Sequence, residues 1–449
     1  MGGLIEKIRE AGVIGMGGAG FPTHVKLSGQ GIEQIIVNGF ECEPLLGTDR
    51  YVMRHFAPRL VAALTALKGE TGAAKATFAL KEGYHAEIDA LNAAIAEKKA
   101  DIGIHTTTSF YPAGDEQVVV YEVTGRTVPP LNIPLAVGCV VINAGTLLAC
   151  YDAMQGEPLI TRVLTVTGEV KTPCVLTVPV GTPFSDCIAA AGGVTDANCV
   201  IVSGGPMMGK QFTMDALARL FVGKTTSGIL ILPRNKYHGA SFDMDEIHRR
   251  AKSSCIQCTY CTELCPRHLL GHPLEPHRIM RKLAYGKPEN LLDDPVIRSA
   301  ALCSECGVCE VYACPMGLQP RSVNAFLKRS LAQAGIRYPK SEKSTEPDRM
   351  RSARKAPTAR IAARAGVSGY YGKPLQELTA DAPKQVALSL RQGIGAPSEP
   401  IVKAGDRVEA GQCIARCPEG KLGAQLHASI SGRVLAVNDA IVIEREDGR

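Results

Sequence analysis

The sequence predicts a multidomain protein that combines an α/β domain, β-rich modules and a helical, cysteine-rich module. The chain has 449 residues, more than one hydrophobic core usually contains, so two to four domains are expected. Strand-like apolar runs alternate with helical segments over residues 1–157, and β-branched runs dominate residues 158–235. Eight of the 16 cysteines lie in two short clusters between residues 255 and 314.

The composition narrows the class of protein. With 45% hydrophobic and 21% charged residues, the chain is neither disordered nor fibrous. No apolar run is long enough for a transmembrane helix, and charges near the first residues argue against a signal peptide. The net charge of +6 is too small to predict a nucleic-acid partner. We therefore expect a cytoplasmic protein with reduced cysteines.

The first domain, residues 1–157, is predicted to hold a largely parallel sheet. Residues 34–38 and 137–143 are short apolar runs that end in turns, which is typical of buried strands. Between these two runs, the apolar residues of segments 55–68 and 86–99 recur at the spacing of a helix. This alternation predicts helices on both faces of the sheet.

Changes in residue composition and pattern along the chain indicate three further segments. Residues 158–235 are predicted to form a small β-grasp-like α+β domain. Residues 336–383 begin with a basic stretch that lacks a core pattern, which indicates a solvated linker or, alternatively, a docking arm. Residues 384–449 contain two similar Val/Ile-rich segments with Gly turns and resemble a barrel-sandwich hybrid domain.

The cysteine clusters predict metal ligands within a helical module, residues 240–335. Each cluster has three cysteines at x2 spacing and a fourth before proline, a pattern typical of two-cluster ferredoxins. In such proteins the fourth cysteine binds the other cluster. One predicted [4Fe-4S] set is therefore Cys255, Cys258, Cys261 and Cys314, and the other is Cys265, Cys303, Cys306 and Cys309. Zinc is the alternative, although zinc sites favour two separated ligand pairs. The x4 spacing before Cys314 departs from the usual x3 and predicts a bulge or a labile cluster.

A glycine-rich segment, residues 15–26, is the other conspicuous motif. Its glycines allow the backbone to approach a phosphate or a flat ring, and Lys26 supplies a positive charge. It is neither a Rossmann fingerprint nor a P-loop, because the required strand and the Gly-Lys-Ser/Thr ending are missing. Without further support, a plain turn is an equally good interpretation.

This segment and the sequence Val37-Asn38-Gly39-Phe40-Glu41-Cys42-Glu43-Pro44 resemble the flavin- and NADH-binding subunit of respiratory complex I. The resemblance to the C subunit of the Rnf electron-transport complex is stronger, and residues 111–116 and 141–146 extend it. It implies an FMN/NADH-binding α/β domain, an SLBB-like β-grasp domain, a helical ferredoxin with two clusters and a barrel-sandwich domain. The barrel lies at the C-terminal end here, an order that resembles the cobalamin reductases of propanediol utilisation.

The resemblance implies a set of residues that bind FMN and NADH: Gly17, Gly18, Ala19, Gly20, Phe21, Lys26, Asn38, Glu41, Glu43, Gly114, Asp115, Glu116, Asn143 and Thr146. The glycine-rich backbone would hold FMN, with Asn143 and Thr146 at its phosphate. Phe21 would stack on a base, and Glu43 would bind ribose hydroxyls. Asn143 could instead cap the next helix. Phe40 stands where complex I has aspartate, which removes one polar flavin contact.

The implied function is an NADH-dependent cobalamin reductase, an oxidoreductase that passes electrons from NADH through FMN and the clusters to a corrinoid. FMN converts between hydride transfer and one-electron transfer, so no catalytic side chain is required. Expected partners are NADH, the corrinoid, a cobalamin adenosyltransferase and shell proteins of a bacterial microcompartment, inside which the protein would lie. The alternative is an Rnf-C-like electron-entry protein that delivers electrons to a membrane or protein partner. A third possibility is an iron–sulfur scaffold with a degenerate flavin site.

Overall fold

The structure, a computed structural model, describes residues 3–235, 237, 243–283 and 285–446. Residues 1–2 of the predicted first domain, residues 240–242 and 284 of the predicted helical module and residues 447–449 of the predicted barrel therefore lie outside the described residues. Within the described part of the chain, no helix is both long and apolar enough to cross a membrane.

The first domain is built on a parallel four-stranded sheet, as the alternating pattern predicted. Its strands lie in the spatial order Gly103–Thr107, Lys75–Lys81, Gln34–Asn38 and Cys139–Asn143. Most residues of the two central strands are buried, because helices cover both faces. These helices are Leu4–Glu10, Thr23–Leu27, Thr48–His55, Ala57–Thr71, His85–Lys98, Glu116–Thr124 and Ala144–Met154.

The parallel arrangement brings polar residues together at one edge. Asn38 and Asn143 end neighbouring strands and pair in register, and Lys81 ends the strand on the other side of Asn38. Ligands of open α/β sheets bind beyond the carboxyl ends of the strands. This edge therefore positions the candidate site.

The second domain contains a mixed six-stranded sheet. Its strands lie in the order Gln376–Thr379, Cys174–Pro179, Thr161–Gly168, Gly228–Pro233, Cys199–Ser203 and Lys210–Thr213. The helix Phe184–Ala190 packs on one face and covers an apolar core. The edge strand Gln376–Thr379 comes from a distant part of the chain and pairs in parallel with Cys174–Pro179.

The cysteine-rich module is helical, as predicted. Its short helices surround the two cysteine clusters and share one apolar core. They are Met244–Ser254, Tyr260–Glu263, Pro266–Leu269, Pro276–Leu283, Pro295–Arg298 and the longer Pro320–Gln333.

The segment 336–383 differs from the predicted linker. It contains the helix Thr358–Arg364, whose Ile361 is completely buried, and the strand Ala356–Pro357, which pairs with Phe110–Tyr111. Its last strand, Gln376–Thr379, completes the second sheet. The basic residues of this segment also form contacts within the chain. Arg351, for example, is largely buried and pairs with Glu122 at 2.7 Å. The segment is thus a packed strap across the other modules.

The C-terminal tail forms two small antiparallel sheets around its own core. One sheet contains Gln385–Ser389, Ala440–Glu444, Gly432–Val437 and Arg407–Val408. The other contains Glu399–Pro400, Cys413–Arg416 and Leu426–His427. This domain packs near the first one. Lys224 of the second domain connects the two, since it donates hydrogen bonds to the carbonyls of both Gly12 and Gln425.

Candidate functional site

The glycine-rich loop lies across the carboxyl edge of the first sheet and is fixed from two sides. The backbone N–H of Met16 donates to Thr146 Oγ1 at 2.8 Å, and the Met16 carbonyl accepts from Arg162 Nη2 at 3.1 Å. A side chain at Gly17 would contact Asn143 at 3.2 Å, whereas one at Gly18 would meet nothing within 4 Å. The loop therefore packs closely on the sheet and leaves open space above it.

That space belongs to a cavity of about 460 Å³. Every residue of the predicted FMN and NADH set except Glu41 lines it: Gly17, Gly18, Ala19, Gly20, Phe21, Lys26, Asn38, Glu43, Gly114, Asp115, Glu116, Asn143 and Thr146. Pro112, Ile133 and Met208 add apolar surface. The loop is therefore the wall of a ligand-sized cavity and more than a plain turn.

Two polar groups in the cavity wall are buried without a protein partner. They are Thr23 Oγ1 and Gln117 Oε1. Buried polar atoms are rarely left unpaired in native proteins, so they indicate a ligand with complementary polar groups. Together with the open glycine backbone, these atoms fit a flat ring system that carries a polar, phosphate-bearing chain.

Lys26 and Glu116 form an ion pair in the cavity wall. Lys26 Nζ lies 2.5 Å from Glu116 Oε1 and also donates to the Val141 carbonyl at 3.0 Å. The Glu116 side chain is 46% exposed. A charged ligand can therefore exchange partners with this pair at modest cost.

Two residues of the predicted set also act as helix caps. Asn143 Oδ1 accepts hydrogen bonds from the N–H groups of Gly145 and Thr146, which begin the helix Ala144–Met154. Asp115 caps Glu116–Thr124 and forms a buried ion pair of 2.7 Å with Arg267. Asn143 thus fulfils the capping alternative and still lines the cavity.

The loop from Phe40 to Glu43 is held by buried contacts. Phe40 is completely buried, and its side chain belongs to the apolar core. Glu41 has a positive φ of 37° and accepts hydrogen bonds from the N–H groups of Asp49 and Arg50. Burial raises the pKa of Glu41 to about 8, and the nearby Asp49 carboxyl adds to this shift. Glu41 lies behind the main cavity and lines a smaller one of about 100 Å³.

Glu43 connects this loop to the second domain. Its carboxyl accepts hydrogen bonds from the N–H groups of Met207 and Met208, both at 2.9 Å. Burial raises the pKa of Glu43 to about 7, although these backbone hydrogen bonds oppose the shift. Glu43 is therefore close to its titration point near neutral pH.

The eight clustered cysteines form two groups of four, and each group combines both sequence motifs. Burial raises the pKa of Cys261 to about 12, and the nearby thiols Cys314, Cys255 and Cys258 raise it further. The other group is Cys265, Cys303, Cys306 and Cys309, whose thiols also raise one another's pKa. The grouping agrees with the crossed pairing expected for a two-cluster ferredoxin.

Each group supplies four thiols, the number of ligands that a [4Fe-4S] cluster requires. Among the described residues, no three His, Cys, Asp or Glu side chains are placed to hold a single metal ion.

The extra residue before Cys314 is accommodated by a π-helical turn, Val308–Ala313. A π-helix places one more residue in a turn than an α-helix does, so it absorbs the x4 spacing. The corresponding turn in the first motif, Tyr260–Glu263, is α-helical. Of the two predicted outcomes, the structure shows the bulge.

The second cysteine group borders the cavity. Cys306 is one of the lining residues, and its carbonyl accepts a hydrogen bond of 2.7 Å from the Tyr111 hydroxyl. Arg267 also lines the cavity and lies near the Cys306 and Cys265 thiols. A ligand in the cavity would therefore lie beside this group of thiols.

Sequence reasoning missed several residues at this site. Arg162 is 2% exposed, holds the glycine-rich loop and lies near the Asp49 carboxyl, and burial lowers its pKa to about 10. A lone arginine in an apolar strand was the available signal. Tyr111 lies in the segment 111–116 that carries the resemblance, but no role was assigned to it. Asp49 and Arg267 carried no comparable signal, because their roles depend on contacts between distant segments.

Comparison with known proteins agrees with this arrangement. Four family models match in chain order: a Nuo51 FMN-binding domain at residues 8–152, an SLBB domain at 163–211, a 4Fe-4S dicluster domain at 254–319 and an RnfC barrel sandwich hybrid domain at 371–447. The predicted fold class is confirmed. A cobalamin reductase PduS from Salmonella typhimurium is 42% identical over 98% of this chain and 96% of its own length. The chain belongs to the PduS family of cobalamin reductases.

Another PduS family member, from Citrobacter freundii, is 41% identical over 97% of this chain and 94% of its own length. One component of the proton-translocating ferredoxin:NAD(+) oxidoreductase complex of Clostridium ljungdahlii is 37% identical, over 59% of this chain and 56% of its own length. A solved NAD+-reducing [NiFe]-hydrogenase shares the fold, with a TM-score of 0.50, 19% identity and coverage of 73% of this chain and 62% of its own. PduS family membership and the FMN-binding domain confirm the prediction of an oxidoreductase.

Proposed function

We propose that this chain is an NADH-dependent flavo-iron–sulfur reductase that transfers electrons to cobalamin. The observation that carries the proposal is the position of Cys306, which borders the cavity of the FMN-binding domain. Hydride oxidation and one-electron transfer can therefore occur within one chain. The PduS relatives support a corrinoid as the final acceptor.

FMN would be held by the glycine-rich backbone from Gly17 to Gly20. Asn38 and Gly114 would contact the ring or ribityl chain, and Asn143 and Thr146 would lie near the phosphate. The unpaired Thr23 and Gln117 oxygens support further polar contacts. When bound, FMN supplies the conversion between two-electron and one-electron chemistry.

NADH would enter the same cavity. Phe21 would stack on a base, Lys26 would bind phosphate and Glu116 would approach the ribose. Glu43 would be less available to bind the ribose hydroxyls than the family resemblance implied, because its carboxyl already accepts two backbone hydrogen bonds. The protein's part is to orient NADH and to exclude water, and no side chain is needed as an acid or base.

Two [4Fe-4S] clusters would be bound by the cysteine groups described above. The corrinoid would be reduced from cob(III)alamin toward cob(II)alamin or cob(I)alamin. A cobalamin adenosyltransferase would then use the reduced corrinoid, inside a microcompartment bounded by shell proteins. These partners and this location follow the PduS relatives and are part of the proposal.

An anaerobic titration of cofactor-loaded protein tests the proposal. We expect NADH to bleach the flavin absorbance and reduce the clusters, and added cob(III)alamin to become cob(II)alamin. A Cys306→Ala variant should retain flavin bleaching by NADH but lose most corrinoid reduction. Cys150→Ala, at a buried cysteine outside both groups, is the matched control.

The same titration distinguishes the alternative function. If flavin and clusters are reduced while cobalamin remains oxidised, the chain is an Rnf-C-like electron-entry protein that needs a membrane or protein acceptor. The 37% identity to one component of a ferredoxin:NAD(+) oxidoreductase complex supports this second candidate over about 59% of the chain. A protein that binds no flavin under reconstitution would refute both.

A further inference from the structure

A second cavity, of about 530 Å³, lies on the other side of the Glu41–Glu43 loop from the flavin cavity. Its walls come from three parts of the chain: the first domain, the second domain through Thr167 and Val175, and the strap through Tyr370 to Leu375. The volume is within the usual range for ligand sites, about 300–1,000 Å³. Glu43 lines both cavities.

Lys81 is the unusual residue of this second cavity. It ends a buried strand and is 5% exposed, yet its ammonium has a hydrogen bond only to the Glu41 carbonyl, at 3.2 Å, within the described part of the chain. None of the ion pairs formed by the described residues includes Lys81. Burial lowers the pKa of Lys81. An ammonium has three donors, and the described residues accept one hydrogen bond from Lys81, so an anionic group of a ligand can accept another.

The other charged groups of the cavity form no ion pair with Lys81 among the described residues. Arg50 and Arg54 already share the buried Glu87, and Arg54 also pairs with Glu377. The Glu41 and Glu43 carboxyls are held by backbone N–H groups, and the Glu41 carboxyl and the Cys42 thiol act on Lys81 without a hydrogen bond or an ion pair to it. The described lining holds four acidic and four basic side chains, so the cavity has no excess charge, but Lys81 is its buried cation and can take an anionic group of a ligand.

The rest of the wall suits an aromatic ring. Tyr371 is 36% exposed and lines the cavity, as do Leu46 and Leu375. Tyr84 lies deeper, with its ring 5.4 Å from Lys81 Nζ and 4.5 Å from the Arg50 guanidinium. Aromatic and aliphatic groups beside one buried cation are typical of pockets for ring-bearing phosphates.

We infer that this cavity binds a nucleotide-type ligand, with its phosphate on Lys81 and its base against Tyr371. The inference concerns a site separate from the flavin cavity. Two sources share this chemistry: a free nucleotide, and the benzimidazole ribose phosphate tail of a corrinoid. Because Lys81 holds the Glu41 carbonyl, the bound phosphate would contact the loop that also borders the flavin cavity.

Calorimetric titration of the FMN-loaded full-length protein tests the inference, with AMP as the first probe. Lys81→Met should weaken AMP binding by about 10-fold or more, since a charged hydrogen bond is lost. Lys81→Arg should retain most of the affinity. Lys75→Met is the matched control, because Lys75 lies on the same strand but is exposed and outside the cavity.

Tyr371→Ala provides a second test if Lys81→Met folds poorly. It should weaken AMP binding by about 3- to 10-fold, because the stacking surface is removed. Phe21→Ala, in the flavin cavity, should remove only AMP that binds in the place proposed for a base of NADH, and it should leave the Lys81-dependent AMP binding unchanged. If AMP affinity depends on Phe21 and not on Lys81 or Tyr371, AMP binds in the flavin cavity and the inference is wrong.

Calorimetric titrations with cobalamin and with cobinamide, which lacks the nucleotide tail, form the second arm of the test. Lys81-dependent binding of AMP identifies a free nucleotide as the ligand. Lys81-dependent binding of cobalamin, with loss of affinity for cobinamide and no binding of AMP, identifies the corrinoid tail. Binding of neither probe overturns the inference. Since these titrations contain no NADH, that result would leave the proposed reductase activity untouched.

Discussion

The Tyr111 hydroxyl donates a hydrogen bond of 2.7 Å to the backbone carbonyl of Cys306. Tyr111 belongs to the FMN-binding domain and is 2% exposed, while Cys306 belongs to the cysteine-rich module. This contact fixes the distance between the cavity and the nearer cysteine group. The arrangement of the two modules is therefore determined by buried polar contacts as well as by apolar packing.

Replacement of Tyr111 by Phe should destabilise the protein modestly. The ring would stay packed, but the Cys306 carbonyl would lose its donor, at a cost of about 1–2 kcal/mol. Urea denaturation of the full-length protein measures this. Tyr285→Phe, at an 81% exposed tyrosine, should change stability by less than about 0.5 kcal/mol. Equal effects of the two variants would contradict the importance of the contact.

Loss of the buried ion pair between Arg267 and Asp115 should destabilise the protein much more than loss of an exposed ion pair. Their side chains are 12% and 11% exposed. Arg267→Met would leave a buried carboxylate without its cation, which costs about 3–5 kcal/mol. Arg278→Met breaks the exposed pair with Glu275 and should cost at most about 1 kcal/mol. Denaturant midpoints of the two variants measure the difference.

The crossed pairing of the cysteines predicts which variants share a phenotype. Cys258→Ser and Cys314→Ser should each remove the same electron paramagnetic resonance signal, because both residues belong to one group. Cys265→Ser and Cys309→Ser should remove the other signal, and each variant should lose about half of the iron. If Cys309→Ser and Cys314→Ser remove the same signal, each motif binds its own cluster and the pairing is wrong.

Stability should depend on pH through Glu43. The pKa of this carboxyl is raised from its usual 4.5 to about 7, so the folded state binds a proton more tightly than the unfolded state. The stabilisation is fully present below about pH 4.5 and is lost as the pH rises through about 7. Glu43→Gln should reduce the slope of the unfolding free energy against pH between about pH 5 and 7, and the slope that remains follows from Glu41, whose pKa is raised to about 8. Glu82→Gln, at an exposed carboxyl, should leave it unchanged.

The contact between Gly20 and Gly393 should control flavin retention. A Cβ atom on Gly393 would lie 2.2 Å from the Gly20 carbonyl oxygen, so Gly393→Ala must displace the glycine-rich loop or the barrel domain. We expect a lower flavin-to-protein ratio and a loss of about 1–3 kcal/mol. Gly369→Ala, where a side chain meets nothing within 4 Å, is the control. An unchanged flavin content in Gly393→Ala would contradict the role of this contact.

The strands and helices of the first domain were predictable because the sequence pattern that indicates each of them lies within the element itself. The predicted strand at residues 137–143 is observed as Cys139–Asn143, and the predicted helix at 86–99 as His85–Lys98. Both have a periodic apolar pattern that matches their burial. The cysteine motifs were readable from their spacing, whereas the glycine-rich segment pointed to a ligand site only through the family resemblance.

The strap could not be predicted from its sequence. Ala356–Pro357 and Gln376–Thr379 are too short to show a period, and both are stabilised by partners far away in the chain. The roles of Tyr111, Arg162 and Lys81 were not predictable for the same reason, because they depend on contacts that only the tertiary structure creates. A basic composition suggested solvation, but Arg351 and Lys355 pair with the Glu122 carboxyl.

The barrel domain touches the glycine-rich loop, since the Ile394 N–H donates to the Gly20 carbonyl at 3.2 Å. During synthesis on the ribosome, the loop emerges long before Ile394, because the whole of the second domain, the cysteine-rich module and the strap lie between them. The nascent chain can fold the first sheet early, but the loop acquires its contact with the barrel only after translation has passed Ile394. Stable flavin binding is therefore expected only after that point, and a chain truncated before the barrel should bind flavin poorly.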